Sequence, residues 1–108
     1  MNECIFCAIA NSNDMSKLVW QNDVAAAFKS ISPMAPVHLL VVPKSHLENL
    51  DDLHDEVLAG KLLVATREVA QQAGLTGAWK MRANNGIKAG QTVPHLHFHI
   101  LGGKEMSE

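Results

Sequence analysis

Short segments of alternating apolar and polar residues dominate the chain, and this spacing is typical of half-buried β-strands. The candidate strands are residues 17–20, 24–31, 37–42, 79–83 and 95–100. Turn-forming residues 21–23 separate the first two, which predicts a hairpin, and Pro43 ends the third because proline removes a backbone donor. We therefore expect a mainly antiparallel sheet of about five strands.

A different period appears in the middle of the chain, where apolar residues recur on one face of a helix. The positions of this stripe are Leu58, Leu62, Ala65 and Val69. Asp52 is a candidate N-cap for this helix and Gly74 a candidate C-cap. The apolar stretch 4–10 predicts a second, short helix or a knuckle. Without βαβ alternation, the pattern predicts one α+β domain spanning residues 1–108.

Three histidines alternate with apolar residues near the C-terminus: His95, His97 and His99. A strand would place these imidazoles on one face, about 6–7 Å apart, within reach of different atoms of one polar ligand. They could ligate zinc, or a free imidazole could act as nucleophile, base or anion contact. The alternative is a half-buried strand with a solvated histidine face, or a chance histidine-rich tract.

The segment before the histidines carries hydrogen-bonding groups that suit phosphate oxygens. Asn84, Gln91 and Thr92 are interleaved with the flexible Gly86 and Gly90, and carboxylates, the usual magnesium ligands, are missing there. A phosphoryl-transfer site that uses imidazole in place of a metal is consistent with this pattern. Simple solvation of a loop explains Gln91 and Thr92 equally well.

Cys4 and Cys7 form a Cys-x-x-Cys pair that is too close in sequence to staple a fold. Two thiolates need two further ligands to close a tetrahedral zinc site, and histidine suits that role. Buried free thiols and a redox pair are the alternatives, the redox pair being disfavoured because no βαβ context follows.

Composition narrows the possible partners and locations of the protein. The 108 residues are 47% hydrophobic and carry a net charge of -2, so nucleic acid is not an expected partner. No apolar run is long enough for a membrane span, and the first residues lack the features of a signal peptide. We expect a cytoplasmic protein with no membrane partner.

The histidine segment and several other blocks together resemble the histidine-triad (HIT) superfamily, in particular its Hint branch. The similar blocks are 4–7, 28–33, 35–38, 42–46 and 90–103. The resemblance covers nearly the whole chain. It implies a homodimeric HIT-like fold and a hydrolase or transferase acting at the α-phosphate of purine nucleotidyl substrates, including adenosine phosphoramidates, with nucleoside monophosphate as product.

The resemblance also implies roles for individual residues. His97 corresponds to the nucleophile that forms a covalent nucleotidyl-histidine, His99 to a phosphate contact, and His38 to a further active-site histidine. The remaining substrate-binding positions are Ser30, Ile31, Asn84, Gln91 and Thr92. Relatives commonly have an aspartate at the position of Ser30, and serine has fewer acceptor sites for the ribose hydroxyls, so we expect a weaker nucleoside grip or an altered substrate range.

In metal-binding relatives the two further zinc ligands correspond to His46 and His95. The resemblance therefore implies a structural zinc held by Cys4, Cys7, His46 and His95, with His97 left free and no catalytic metal.

Several alternatives remain at the level of sequence. They are a nucleotide-binding regulatory module with little turnover, a zinc enzyme whose triad holds the catalytic metal, and a dinucleoside-polyphosphate hydrolase. A uridylyltransferase-like role is less well supported, because those relatives have glutamine at the position of His99.

Overall fold

The computed structural model describes residues 4–107, which form two helices around one five-stranded sheet. The helices are α1 (Ile5–Ala10) and α2 (Glu56–Gln72). The strands are β1 (Trp20–Gln21), β2 (Ala25–Lys29), β3 (Val37–Pro43), β4 (Trp79–Arg82) and β5 (Phe98–Gly102). Residues 1–3 lie outside the described residues. The expectation of a cytoplasmic protein rests in part on these residues.

The strand order in the sheet is β1-β2-β3-β5-β4, and every neighbouring pair is antiparallel. This arrangement confirms the predicted α+β class with a mainly antiparallel sheet and one long and one short helix. Because β5 lies between β3 and β4, this last described strand is paired on both sides.

The two faces of the sheet build two separate cores. Alternate residues of one strand divide between them, so Leu39 and Val41 of β3 face α2 while Leu40 and Val42 face α1. Leu96, Phe98 and Ile100 all belong to the core beneath α2. The apolar half of the histidine segment therefore packs where the alternation predicted.

Helix α2 covers its side of the sheet with the predicted stripe: Leu62, Ala65 and Val69 are buried and Leu58 is partly buried. The predicted N-cap is wrong by three residues. The carboxylate of Asp55 accepts hydrogen bonds from the backbone N–H groups of residues 57 and 58, at 2.9 and 3.2 Å, and caps the helix. Asp52 lies in a short 3-10 helix instead and accepts from the N–H of residue 48.

Gly74 follows the C-cap residue Ala73 and has a left-handed φ of 79°, so it ends the helix much as expected.

The histidine strand begins later than predicted, at Phe98 instead of His95. Val41 is the cross-strand partner of Phe98, so continuation of the ladder would bring Leu96 opposite Pro43, which has no N–H to donate. The N–H of Leu96 instead donates to the carbonyl of Leu47 at 2.7 Å. His95 and His97 therefore lie in an irregular segment that leads into β5.

The first predicted strand is also shorter than expected: only Trp20 and Gln21 form β1, and Gln21 belongs to the strand and not to the turn.

Among the described residues no helix has the length and apolar character needed to cross a bilayer.

Gly102 is required by a close approach between β5 and the chain after α2. A Cβ atom there would lie 2.8 Å from Leu75 Cδ1. We expect Gly102→Ala to lower the free energy of unfolding by about 1–3 kcal/mol, the usual cost of overpacking. Gly60→Ala in the middle of α2 is the matched control, because nothing lies within 4 Å of its added methyl. It should stabilise the protein by about 0.5–1 kcal/mol. Urea unfolding measures both, and a Gly102→Ala variant as stable as the wild type contradicts the prediction.

Candidate active site and metal centre

His95 is fully buried, and both of its ring nitrogens are committed. Its Nε2 lies 2.9 Å from the backbone carbonyl of Pro43. A carbonyl oxygen can only accept, so Nε2 carries the proton and Nδ1 keeps its lone pair. That lone pair faces the thiols of Cys4 and Cys7, with Nδ1 to Sγ distances of 3.2 and 3.4 Å.

The thiols and a second imidazole complete a compact set of four donors. Nδ1 of His46 lies 3.3 Å from Cys7 Sγ, and the four ligand atoms of Cys4, Cys7, His46 and His95 all lie within 4.8 Å of one another. Cys4 caps α1, its Sγ accepting from the backbone N–H of Cys7 at 3.3 Å, which fixes both thiols on one turn of helix.

This donor set fits zinc. Bonds of about 2.3 Å to sulfur and about 2.1 Å to nitrogen in a tetrahedron bring neighbouring ligand atoms to roughly 3.3–3.8 Å from each other. The hydrogen bond from His95 to Pro43 is the kind of outer contact that orients a metal-binding imidazole. The structure thus brings all four predicted ligands together in a cluster that could hold a metal ion.

Burial, and after it the neighbouring Cys4, raises the pKa of the Cys7 thiol to about 11. Metal binding at this cluster must therefore release protons, and affinity should fall as the pH is lowered.

His97 is held by the backbone of His95. Its Nδ1 lies 2.7 Å from the His95 carbonyl oxygen, so Nδ1–H is the donor and, in the neutral ring, Nε2 has the free lone pair. The ring is buried and packs edge-on against Phe6, with centroids 5.2 Å apart at 90°. The imidazole is thereby fixed in orientation and in tautomer.

His38 and His99 form a hydrogen-bonded pair with a defined direction. The backbone N–H of Met34 donates to His38 Nδ1 at 3.0 Å, and His38 Nε2 lies 2.8 Å from His99 Nδ1. Because a neutral imidazole has one N–H, His38 donates to His99, and the proton of His99 resides on Nε2. Burial, and after it the positive charge of Arg82, lowers the pKa of both rings, and together with the neighbouring histidines these effects bring the pKa of His99 to about 4. The pair is therefore neutral at physiological pH.

These histidines line a cavity of about 830 Å³ on the α1 side of the sheet. His97 and His99 lie side by side, with ring centroids 5.0 Å apart. Apolar side chains form another part of the lining: Ile5, Phe6, Ile9, Leu18, Phe28, Leu40 and Val93. The volume suits a small-molecule ligand with one apolar and one polar portion.

Four of the five other predicted substrate positions also line this cavity. They are Ser30, Ile31, Asn84 and Thr92. The Ser30 hydroxyl accepts from the backbone N–H of residue 32 at 3.1 Å, and Ile31 is fully exposed at the rim. Asn84 donates through Nδ2 to the carbonyl of Ala89 at 2.8 Å, which leaves its carbonyl oxygen for a ligand.

Gln91 is placed differently from the expectation. Its side chain is buried and does not line the cavity. Nε2 donates to the carbonyls of Glu48 and Val93 at 2.6 and 2.9 Å, and Oε1 accepts from the N–H of Gly86 at 2.7 Å. Both amide hydrogens are already used, so Gln91 braces the loop and offers no donor to phosphate.

Sequence reasoning missed Arg82, which lines the cavity beside His99. The two residues are cross-strand partners, so their side chains lie on the same face of the sheet. The alternation of residues 79–83 predicted the strand, but only its register against β5 could reveal this contact.

The histidine alternation also divides between the two sites. His95 faces the thiols, whereas His97 and His99 face the cavity, so the triad does not act as one ligand set. The free thiols of Cys4 and Cys7 lie in the metal cluster and not in a disulfide.

Comparisons with known proteins agree with this geometry. Residues 11–106 match the HIT domain family. An uncharacterized HIT-like protein from Synechocystis is 40% identical over 107 residues, which cover 97% of this chain and 94% of that protein. A HIT family hydrolase from Clostridium thermocellum superimposes with a TM-score of 0.88 at 33% identity, covering 100% of this chain and 96% of the other. A histidine triad protein from Clostridium difficile gives 0.89 at 37% identity, with the same coverage.

The metal centre makes a direct prediction. Metal-replete protein should contain about one zinc per chain by elemental analysis, and Cys4→Ser should lose that zinc and melt at a lower temperature, since metal binding and folding are coupled. His97→Ala is the matched control, because its ring lies outside the cluster, and it should keep its zinc. If protein that has been supplied with zinc contains none, the assignment is contradicted.

Proposed function

Because this chain belongs to the HIT domain family, we propose that it is a nucleotide hydrolase or transferase that acts at the α-phosphate of purine nucleotidyl substrates such as adenosine phosphoramidates. The observation that carries the proposal is the fixed tautomer of His97, whose Nδ1–H is held by the His95 carbonyl and whose Nε2 is left with a free lone pair in the lining of the cavity. An imidazole presented in this way is a nucleophile without need of a metal.

In the first step, His97 Nε2 attacks the α-phosphorus in line. A phosphorus–nitrogen bond forms as the bond to the leaving group breaks with its electron pair, and solvent supplies the proton that an amine leaving group needs. The nucleotidylated ring is then a cation. Its Nδ1–H remains on the His95 carbonyl, whose partial negative charge stabilises it.

His99 serves the phosphate oxygens. The directed pair with His38 puts its one proton on Nε2, so that the ring can donate to a phosphate oxygen as charge develops. In the second step, water attacks phosphorus, the bond to His97 breaks, and nucleoside monophosphate leaves with regeneration of the neutral ring and release of a proton.

The apolar part of the cavity suits the base and the Thr92 hydroxyl suits the phosphate end. Zinc at the four-residue cluster would supply structural support only: it would fix His95, and with it the carbonyl that orients His97. We assign the protein to the cytosol, where a reducing environment keeps the Cys4 and Cys7 thiols available to metal.

Removal of the nucleophile tests the chemistry. His97→Ala should reduce kcat for an adenosine phosphoramidate by several orders of magnitude, because the ring forms a bond in the transition state and adds little to ground-state binding. Stopped wild-type reactions should yield a peptide spanning His97 that carries a nucleoside monophosphate, observed by mass spectrometry under conditions that preserve the P–N bond.

His54→Ala is the matched histidine control, since His54 is exposed just before α2 and lies outside the cavity. It should retain full activity. Near wild-type turnover by His97→Ala overturns the covalent mechanism. Tight nucleotide binding with no turnover of phosphoramidates or dinucleotides by the wild type favours a binding module instead.

We further propose that the protein is a homodimer. Strand β4 is an edge of the sheet, and Met81 on that edge is 44% exposed. An open edge beside exposed apolar side chains is commonly covered by a second copy. Analytical ultracentrifugation at micromolar concentration should give the dimer mass, and a monomer at all concentrations tested contradicts this proposal.

A further inference from the structure

Arg82 lies next to the pair formed by His38 and His99. It is the cross-strand partner of His99, and its positive charge acts on both His99 and His38. Its Nε is buried and has no hydrogen-bond partner within residues 4–107. A buried donor without a partner costs folding free energy, so it calls for an explanation.

The charge of the cavity lining is a second observation that bears on Arg82. Its lining contains Lys17, Lys29 and Arg82 but no aspartate or glutamate from the described part of the chain. The whole protein has the opposite balance, with 11 acidic against 9 basic residues. The cavity is therefore a positive region in an acidic protein, and such a region favours negatively charged ligands.

Ser30 contributes to this imbalance, since a neutral hydroxyl occupies the cavity at a position where the resemblance to relatives suggests an aspartate. No lining carboxylate competes for Arg82, so its guanidinium remains available to a ligand.

We propose that Arg82 is a specificity residue that selects substrates whose leaving group is anionic close to the reacting phosphorus. The inference rests on the proposed function and narrows its substrate class. A second phosphate or a carboxylate on the leaving group supplies the negative charge. A guanidinium group binds either one through paired hydrogen bonds. His97 and His99 act on the transferred phosphate, whereas Arg82 contacts the group that departs.

The test uses two substrates that differ in the charge of the leaving group: an adenosine phosphoramidate of β-alanine and the same compound as its neutral methyl amide. Wild-type kcat/KM should favour the free acid by about tenfold, the scale of one charge-assisted contact at a partly exposed site. Arg82→Met should bring the ratio of acid to amide close to one, mainly by slowing the acid. Arg82→Lys should keep part of the preference, because the charge stays while the paired geometry is lost.

Lys80→Met is the matched control. Lys80 lies two residues earlier on the same strand and does not line the cavity. Its replacement by Met removes one positive charge, as Arg82→Met does. The acid-to-amide ratio should stay at the wild-type value. Thermal melting of each variant checks that the fold is retained, and Arg82→Lys carries the test if Arg82→Met does not fold.

Adenosine diphosphate separates the two sources of negative charge. Attack of His97 on its α-phosphorus releases inorganic phosphate. A larger loss in Arg82→Met for adenosine diphosphate than for the β-alanine acid identifies a second phosphate as the preferred group, and the reverse order identifies a carboxylate. A wild-type ratio near one, or an equal loss for acid and amide in Arg82→Met, overturns the proposal.

A binding measurement keeps this inference separate from the proposed chemistry. By calorimetry, the wild type should bind adenosine diphosphate more tightly than adenosine monophosphate, and Arg82→Met should lose that difference while Lys80→Met keeps it. This result holds even for a protein that turns nothing over. Equal binding of the two nucleotides by the wild type argues against Arg82 as the selecting group, whatever the fate of the covalent mechanism.

Discussion

One buried imidazole, His95, joins the two halves of the site. Its Nε2–H is bound to the Pro43 carbonyl, its Nδ1 faces the thiols, and its own carbonyl accepts from His97 Nδ1. The end of β3, the turn of α1 and His97 are thus all in contact with a single residue. Since a neutral imidazole has one proton, the bond to Pro43 decides which nitrogen of His95 is available to a metal, while the backbone of the same residue orients His97.

The two faces of the sheet divide the work of stability and chemistry. Helix α2 covers one face with a continuous apolar stripe, against which Leu96, Phe98 and Ile100 pack. The other face is covered by the short α1, which leaves room beside Phe6 and Phe28 for the cavity. The well-packed core between β5 and α2 supports the strand that carries His99. Functional side chains on such rigid elements are held more precisely than those on loops.

Neutral rings are also a consequence of this placement. Burial disfavours charge on His38 and His99, and Arg82 opposes protonation from the open side. The pair keeps one directed hydrogen bond as a result, and its outer N–H can serve an oxyanion. Arg82 thus adds to the effect of burial on the rings, and together with Lys17 and Lys29 it makes the cavity lining positive.

The sequence by itself determined the periodic elements and the residue types of the sites, because alternation and helical period are local properties of the chain. These periods predicted the five strands and the stripe of α2, and the resemblance to relatives added the four donors Cys4, Cys7, His46 and His95, which the structure brings together. Sequence reasoning misjudged the start of β5, since Pro43 lies on another strand. It also predicted a phosphate contact for Gln91, whose amide is bound to the backbone of Gly86, Val93 and the distant Glu48. Tautomers, the neighbour of His99 across the sheet and the charge of the cavity depend on contacts between separate strands and loops, and only the tertiary structure decided them.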